Sequence, residues 1–168
     1  MRLFVAISPT DEIRKALVKA QNYLSRHGIT GAYQTLENLH LTLAFIGEYP
    51  DPETVLDVME ETAFDPFQIT YDHLGVFRES IVWGGIEASE PTENLAKKLR
   101  YELAKADIPF DNSTFTPHFT LARHANFSKG IPPVEIDPVS MMVQEITLYR
   151  SDRGKSGMIY TPIGAVGA

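Results

Sequence analysis

The chain reads as a mixed α+β domain, built on antiparallel sheet in two pseudo-symmetric lobes with flanking helices and a central cleft. Three observations predict this. Strand-like runs outnumber helical ones, and the strands after each helix need not run parallel. One short pattern also occurs twice, as "HLTLAFIG" from His40 and "HFTLARHA" from His118, nearly half the chain apart. A period that long, present only twice, points to duplication and not to a solenoid. The simplest arrangement is a single domain spanning residues 1–168, in which each lobe lends one His-x-Thr strand to the shared cleft.

Each element has a local reason. "RLFVAI" is an apolar run ended by Ser8-Pro9-Thr10 and predicts a buried strand. Ser8 is then the expected N-cap, with Pro9 at the first helical position and Asp11 and Glu12 in the first turn. Ile13, Ala16, Leu17, Ala20 and Leu24 recur at helical spacing, and Gly28 supplies the stop. A second helix is expected from Asp51-Pro52, with Val55, Leu56, Met59 and Ala63 facing inward. A third follows Pro91, where Leu95, Leu99 and Leu103 form a stripe. Strands are expected over residues 33–35, 39–46, 67–71, 81–86, 118–123, 142–149 and 158–162. Residues 124–138, rich in Pro and Gly, read as a long surface loop, and residues 150–157 as a basic hairpin loop.

Composition narrows the function classes. A hydrophobic share of 43% and a charged share of 22% are those of a soluble globular protein. No apolar run is long enough to cross a membrane, and "MRLFVAISPTDE" turns polar too early for a secretion signal. Cysteine is absent, which excludes disulfides, thiolate metal sites and a cysteine nucleophile; the cytoplasm is the expected location. A net charge of −7 argues against a grip on long duplex nucleic acid, which needs a surplus of Lys and Arg. A nucleic-acid substrate would be handled at a small part only, such as a nucleotide or an end. A monomer is expected.

The repeated pattern carries the chemistry. Side chains alternate along a strand, so His40 and Thr42 point one way, as do His118 and Thr120. Leu41, Leu43 and Phe45, like Phe119 and Leu121, point to the opposite, apolar face. If the two polar faces meet, two imidazoles and two hydroxyls converge. Imidazole serves as acid or base near neutrality, so one can take a proton from an attacking group while the other gives one to a leaving group. Threonine hydroxyls can donate to the non-bridging oxygens of a phosphate. That design needs no metal or other cofactor, and it suits an ester already strained, as in a five-membered cyclic phosphate. One such motif alone would ordinarily be a structural histidine.

At these residues the sequence resembles the two-histidine (2H) phosphoesterase superfamily, which is defined by two HxTx motifs. Within it, the chain is most similar to the LigT-like family of RNA 2′,3′-cyclic phosphodiesterases, also called 2′–5′ RNA ligases. The motif residues are His40, Leu41, Thr42 and Leu43, then His118, Phe119, Thr120 and Leu121. "RLFVAI", "ENLHLTLAFIGE", "VWGGIE" and "FTPHFTLAR" follow the family's order along nearly the whole chain. The resemblance implies hydrolysis of a 2′,3′-cyclic phosphate, at an RNA end or in a small cyclic nucleotide, to a 2′-phosphomonoester. It implies His40 as proton donor, His118 as proton acceptor, and Thr42 and Thr120 as phosphate ligands. The chain departs from the family pattern at Leu36, at Tyr33 and at Ser113-Thr114, none of which touches the paired motifs.

Other residues leave alternatives open. Arg123 suits a phosphate oxygen, yet strict alternation puts it on the face opposite His118; it reaches the site only where the strand ends or twists. Arg150, Arg153 and Lys155 either steer an anionic substrate or belong to a solvated hairpin. His27, His73 and His124 read as structural or exposed, and no third ligand accompanies His40 and His118 for zinc. The rival functions are 2′–5′ ligation or cleavage at the same site, and a nucleotide-binding module without turnover.

Overall fold

One antiparallel sheet runs through the whole molecule in the computed structural model, which describes Met1–Ala168. Its strands are β1 (Arg2–Ile7), β2 (Ala32–Tyr33), β3 (Leu41–Glu48), β4 (Phe67–Phe77), β5 (Ile81–Ile86), β6 (His118–Arg123), β7 (Val139–Val143), β8 (Glu145–Gly154) and β9 (Gly157–Gly167). Helices α1 (Asp11–Arg26), α2 (Pro52–Glu61) and α3 (Glu90–Lys105) flank it. The sheet order is β7-β4-β5-β6-β3-β1-β8-β9, with β2 added on β6.

That order has two matching halves. The chain passes β1–α1–β3 in one and β5–α3–β6 in the other, and each half is completed by an outer pair, β8-β9 or β4-β7. The halves also exchange helices. Helix α1 packs against β6 and β7, whereas α3 packs against β3, so each helix covers the half it does not lead out of. Leu17, Leu24, Leu99 and Leu103 from the helices meet Leu3, Val5, Leu41, Val82, Phe119 and Leu121 from the sheet in one core of 34 buried residues. The hydrophobic effect therefore fixes the two halves to each other.

Several expectations are corrected. The N-cap of α1 is Thr10, whose hydroxyl accepts from the Ile13 amide, while the Ser8 hydroxyl accepts from Arg14. Helix α2 ends at Glu61, which leaves Ala63 exposed; Thr62 is buried instead, its hydroxyl donating to the Val58 carbonyl. The run expected over 142–149 is two strands parted at Gln144, because β7 pairs with β4 and β8 with β1, on opposite sides of the sheet. The basic segment 150–157 is mostly sheet: β8 and β9 form a long hairpin turning at Lys155 and Ser156. Gly157, at φ 125°, takes a backbone angle that other residues rarely adopt. Strand β3 starts at Leu41 after a 3₁₀ turn over Leu36–Asn38, so His40 stands at the strand's entrance.

Candidate active site

The two halves join where β3 pairs with β6, and the residues opposite each other there are Leu41 and Phe119. These are the middle residues of the two His-x-Thr motifs. Antiparallel register about that pair sets His40 beside Thr120 and Thr42 beside His118, all on one face. Leu41 and Phe119 are fully buried on the helix side, and the four polar residues are half-buried on the other. Two imidazoles and two hydroxyls thus surround a local twofold axis.

Each histidine is held in the same way. His40 Nδ1–H donates to the Asn38 carbonyl at 2.7 Å, and His118 Nδ1–H donates to the Thr116 carbonyl at 2.6 Å. A carbonyl only accepts, so the proton sits on Nδ1 and the neutral ring presents Nε2 as its free lone pair. The Asn38 side chain donates to the Met158 carbonyl at 2.8 Å, which ties the turn before His40 to β9. Aromatic rings enclose both imidazoles: Phe4 and Tyr160 lie 4.7 and 5.2 Å from His40, and Phe77 and Trp83 lie 5.0 and 5.9 Å from His118. Burial among these rings drives His40 down to about 4, against the bond to Asn38, and the charges of His118, Arg123 and Arg14 lower it further. His118 is lowered by the same burial and by Arg123.

Strict alternation fails at the same place in both motif strands, and in β3 a second time past Phe45, where the partners of Leu3 and Phe4 are Gly47 and Phe45. Between Val5 and Ala6 of β1, the partners on β3 step from Ala44 to Thr42; between Val82 and Trp83 of β5, those on β6 step from Ala122 to Thr120. Leu43 and Leu121 are therefore bulged residues, and each bulge turns the rest of its strand over. This brings Phe45 and Arg123, both five positions after their histidine, round to the polar face. Both line the cleft with His40 and Thr42, which corrects the expected apolar placement of Phe45 and settles where Arg123 points. The freed carbonyls are bonded by the exchanged helices. Gln21 of α1 donates to the Leu121 carbonyl at 2.9 Å, and Arg100 of α3 to the Leu43 carbonyl at 3.2 Å.

The cleft beside His40 has a volume of about 460 Å³. Sequence reading missed Arg2, Phe4, Ser151, Met158 and Tyr160 in its wall, and left Arg153 undecided. Alternate positions on β1, β8 and β9 supply them; the strand period is the signal, open to view in the predicted strands that hold Arg2, Phe4, Met158 and Tyr160 and hidden only for Ser151 and Arg153, where the basic, Gly- and Ser-rich run suggests a loop. Arg150 instead pairs with Asp152 at 3.0 Å, and Lys155 is exposed at the turn. His27 caps α1, His73 bonds Asp72, and His124 is exposed beyond β6. No group of three or more His, Asp or Glu side chains is arranged to hold a metal ion. No helix is long and apolar enough to cross a membrane.

Residues 9–155 match the model of the 2′–5′ RNA ligase superfamily. The chain belongs to that superfamily. Its relatives here include an RNA 2′,3′-cyclic phosphodiesterase of Escherichia coli, 34% identical over 96% of this chain and 93% of the relative. Another, of Thermotoga maritima, is 28% identical over 95% of this chain and 91% of the relative. The fold agrees: E. coli LigT in apo form superposes with a TM-score of 0.83 at 30% identity, covering 99% of this chain and 96% of that one. The same superfamily member has been solved with 3′-AMP, again at a TM-score of 0.83, with 32% identity and coverage of 99% and 96%.

Proposed function

We propose that this protein is an RNA 2′,3′-cyclic phosphodiesterase that opens the cyclic phosphate of an RNA end, or of a small cyclic nucleotide, to a 2′-phosphomonoester. The observation that carries this reading is the twofold arrangement of the two His-x-Thr motifs about Leu41 and Phe119. Hydrolysis at phosphorus needs a base on the attacking side and an acid on the leaving side, in line. Two equivalent imidazoles across an axis supply both. The phosphate sits on that axis, its non-bridging oxygens accepting from the Thr42 and Thr120 hydroxyls and from the Arg123 guanidinium. His118 Nε2 takes a proton from water as its oxygen bonds to phosphorus. The P–O3′ bond breaks, and His40, which enters the reaction as the imidazolium with a second proton on Nε2, gives that proton to O3′. The choice of His40 as donor follows the resemblance to the family, since the two histidines have matching partners. The relatives named RNA 2′,3′-cyclic phosphodiesterase support the substrate class. The absence of cysteine supports a cytoplasmic site of action.

The test is product identification from a nucleoside 2′,3′-cyclic phosphate with EDTA present. The 2′-phosphate is the expected product, at an unchanged rate when the chelator is added. Release of the 3′-phosphate would mean that the wrong P–O bond has been assigned.

A further inference from the structure

The chain carries 22 acidic and 15 basic residues, yet the wall of the cleft beside His40 contains three arginines and no carboxylate. Arg2, Arg123 and Arg153 make no ion pair, in contrast to Arg150. Free guanidinium groups gathered in one concave wall of an acidic protein mark a place for anions. One phosphate accounts for Arg123, which shares the wall with Thr42. Arg2 and Arg153 stand farther out, beyond what that phosphate requires.

We propose that Arg2 and Arg153 form a second anion subsite, which takes the phosphate on the 5′ side of the terminal nucleoside; this rests on the cyclic-phosphate reading above. Arg2 lies opposite Ser151, and Ser151 opposite Tyr160, so these side chains share one face of the sheet with Arg153, two residues beyond Ser151 on the same strand. Strand β8 is two strands from β3, a separation of about 10 Å at the usual strand spacing. A ligand held at both is larger than one phosphate. Phe45 fixes the near side, its ring 5.2 Å from the Arg2 guanidinium. The cyclic phosphate occupies the 2′ and 3′ oxygens, which leaves the 5′ oxygen as the only ribose hydroxyl able to carry a further phosphate. That phosphate is either the next diester of an RNA chain or a 5′-monoester.

The experiment compares kcat/KM for three substrates that share one terminal nucleoside 2′,3′-cyclic phosphate. One bears a 5′-hydroxyl, one a 5′-phosphate, and one is a dinucleotide. In wild type a 5′-phosphoryl group is expected to raise kcat/KM by about tenfold, mainly through KM, as a charge-assisted contact does. The gain should shrink with added salt. In the Arg2→Gln, Arg153→Gln double variant it should fall below about twofold, and Lys at both positions should restore part of it. A gain only for the dinucleotide assigns the subsite to a chain diester; a gain for both substrates assigns it to any 5′-phosphoryl group. Equal rates in wild type, or a gain that survives the Gln substitutions, would overturn the subsite. Failure to turn over any of the three substrates would instead strike the underlying reading.

Discussion

His40 and His118 both give up proton affinity to burial, and both lie near the positive charge of Arg123. In the free protein their titration falls below the ordinary imidazole value of 6.5. A reaction that needs one histidine charged and one neutral then has a bell-shaped kcat/KM with its maximum on the acid side of pH 6.5. A bound phosphate anion favours the charged imidazole, so the kcat maximum is expected at higher pH than that of kcat/KM. Coincident maxima would contradict this. The linkage also has a sign in stability. The unfolded chain binds more protons than the folded one between about 4 and 6.5, so the contribution of His40 is whole above pH 6.5 and is lost as pH falls toward about 4. Acid melts of wild type should drop more steeply across that window than those of His40→Gln. Replacing Thr42 or Thr120 by Val removes a donor to phosphate and is expected to lower kcat by about 10²-fold, with the fold intact by circular dichroism. The histidines and threonines were legible because the motif is written twice. Arg2 and Tyr160 were not, since each is a single residue whose role depends on which strands become neighbours.

The bulges at Leu43 and Leu121 are the elements on which the cleft wall depends. Period-two reasoning put Phe45 on the wrong face and left Arg123 open, because an extra residue in a strand leaves no mark in the hydrophobic pattern. Its supports were equally hidden: Gln21 and Arg100 lie far along the chain from the carbonyls they bond. Gln21→Leu leaves the Leu121 carbonyl with the Gln34 amide alone and strips the Gln34 carbonyl of a donor. A loss of about 1–2 kcal/mol in urea unfolding is expected, together with reduced turnover as Arg123 loses its setting. A glycine on the neighbouring pair has a similar duty. A Cβ on Gly75 would collide with the ring of Trp83, which stands beside His118. Gly75→Ala must therefore move the only tryptophan in the chain, and a changed emission spectrum with lowered kcat is the expected pair of signals. An unchanged spectrum with full activity would remove Trp83 from the description of the site.

At the scale of the molecule, duplication was legible and its consequence was not. The repeated motif predicted two lobes and a shared cleft, and the sheet order is symmetric about the strands that carry it. No sequence signal announced that α1 and α3 would pack under each other's halves, because an amphipathic stripe records that a helix is covered without recording by what. The exchange matters for function: the two histidines belong to different halves, and their spacing is set by a core that both halves share. They should accordingly act as a unit. Rates of wild type, His40→Ala, His118→Ala and the double variant on one 2′,3′-cyclic mononucleotide test this most directly. Each single substitution is expected to lower kcat by about 10²- to 10⁴-fold, and the double variant to lose little more than either alone. Near wild-type turnover in either single variant would contradict acid–base catalysis by the pair.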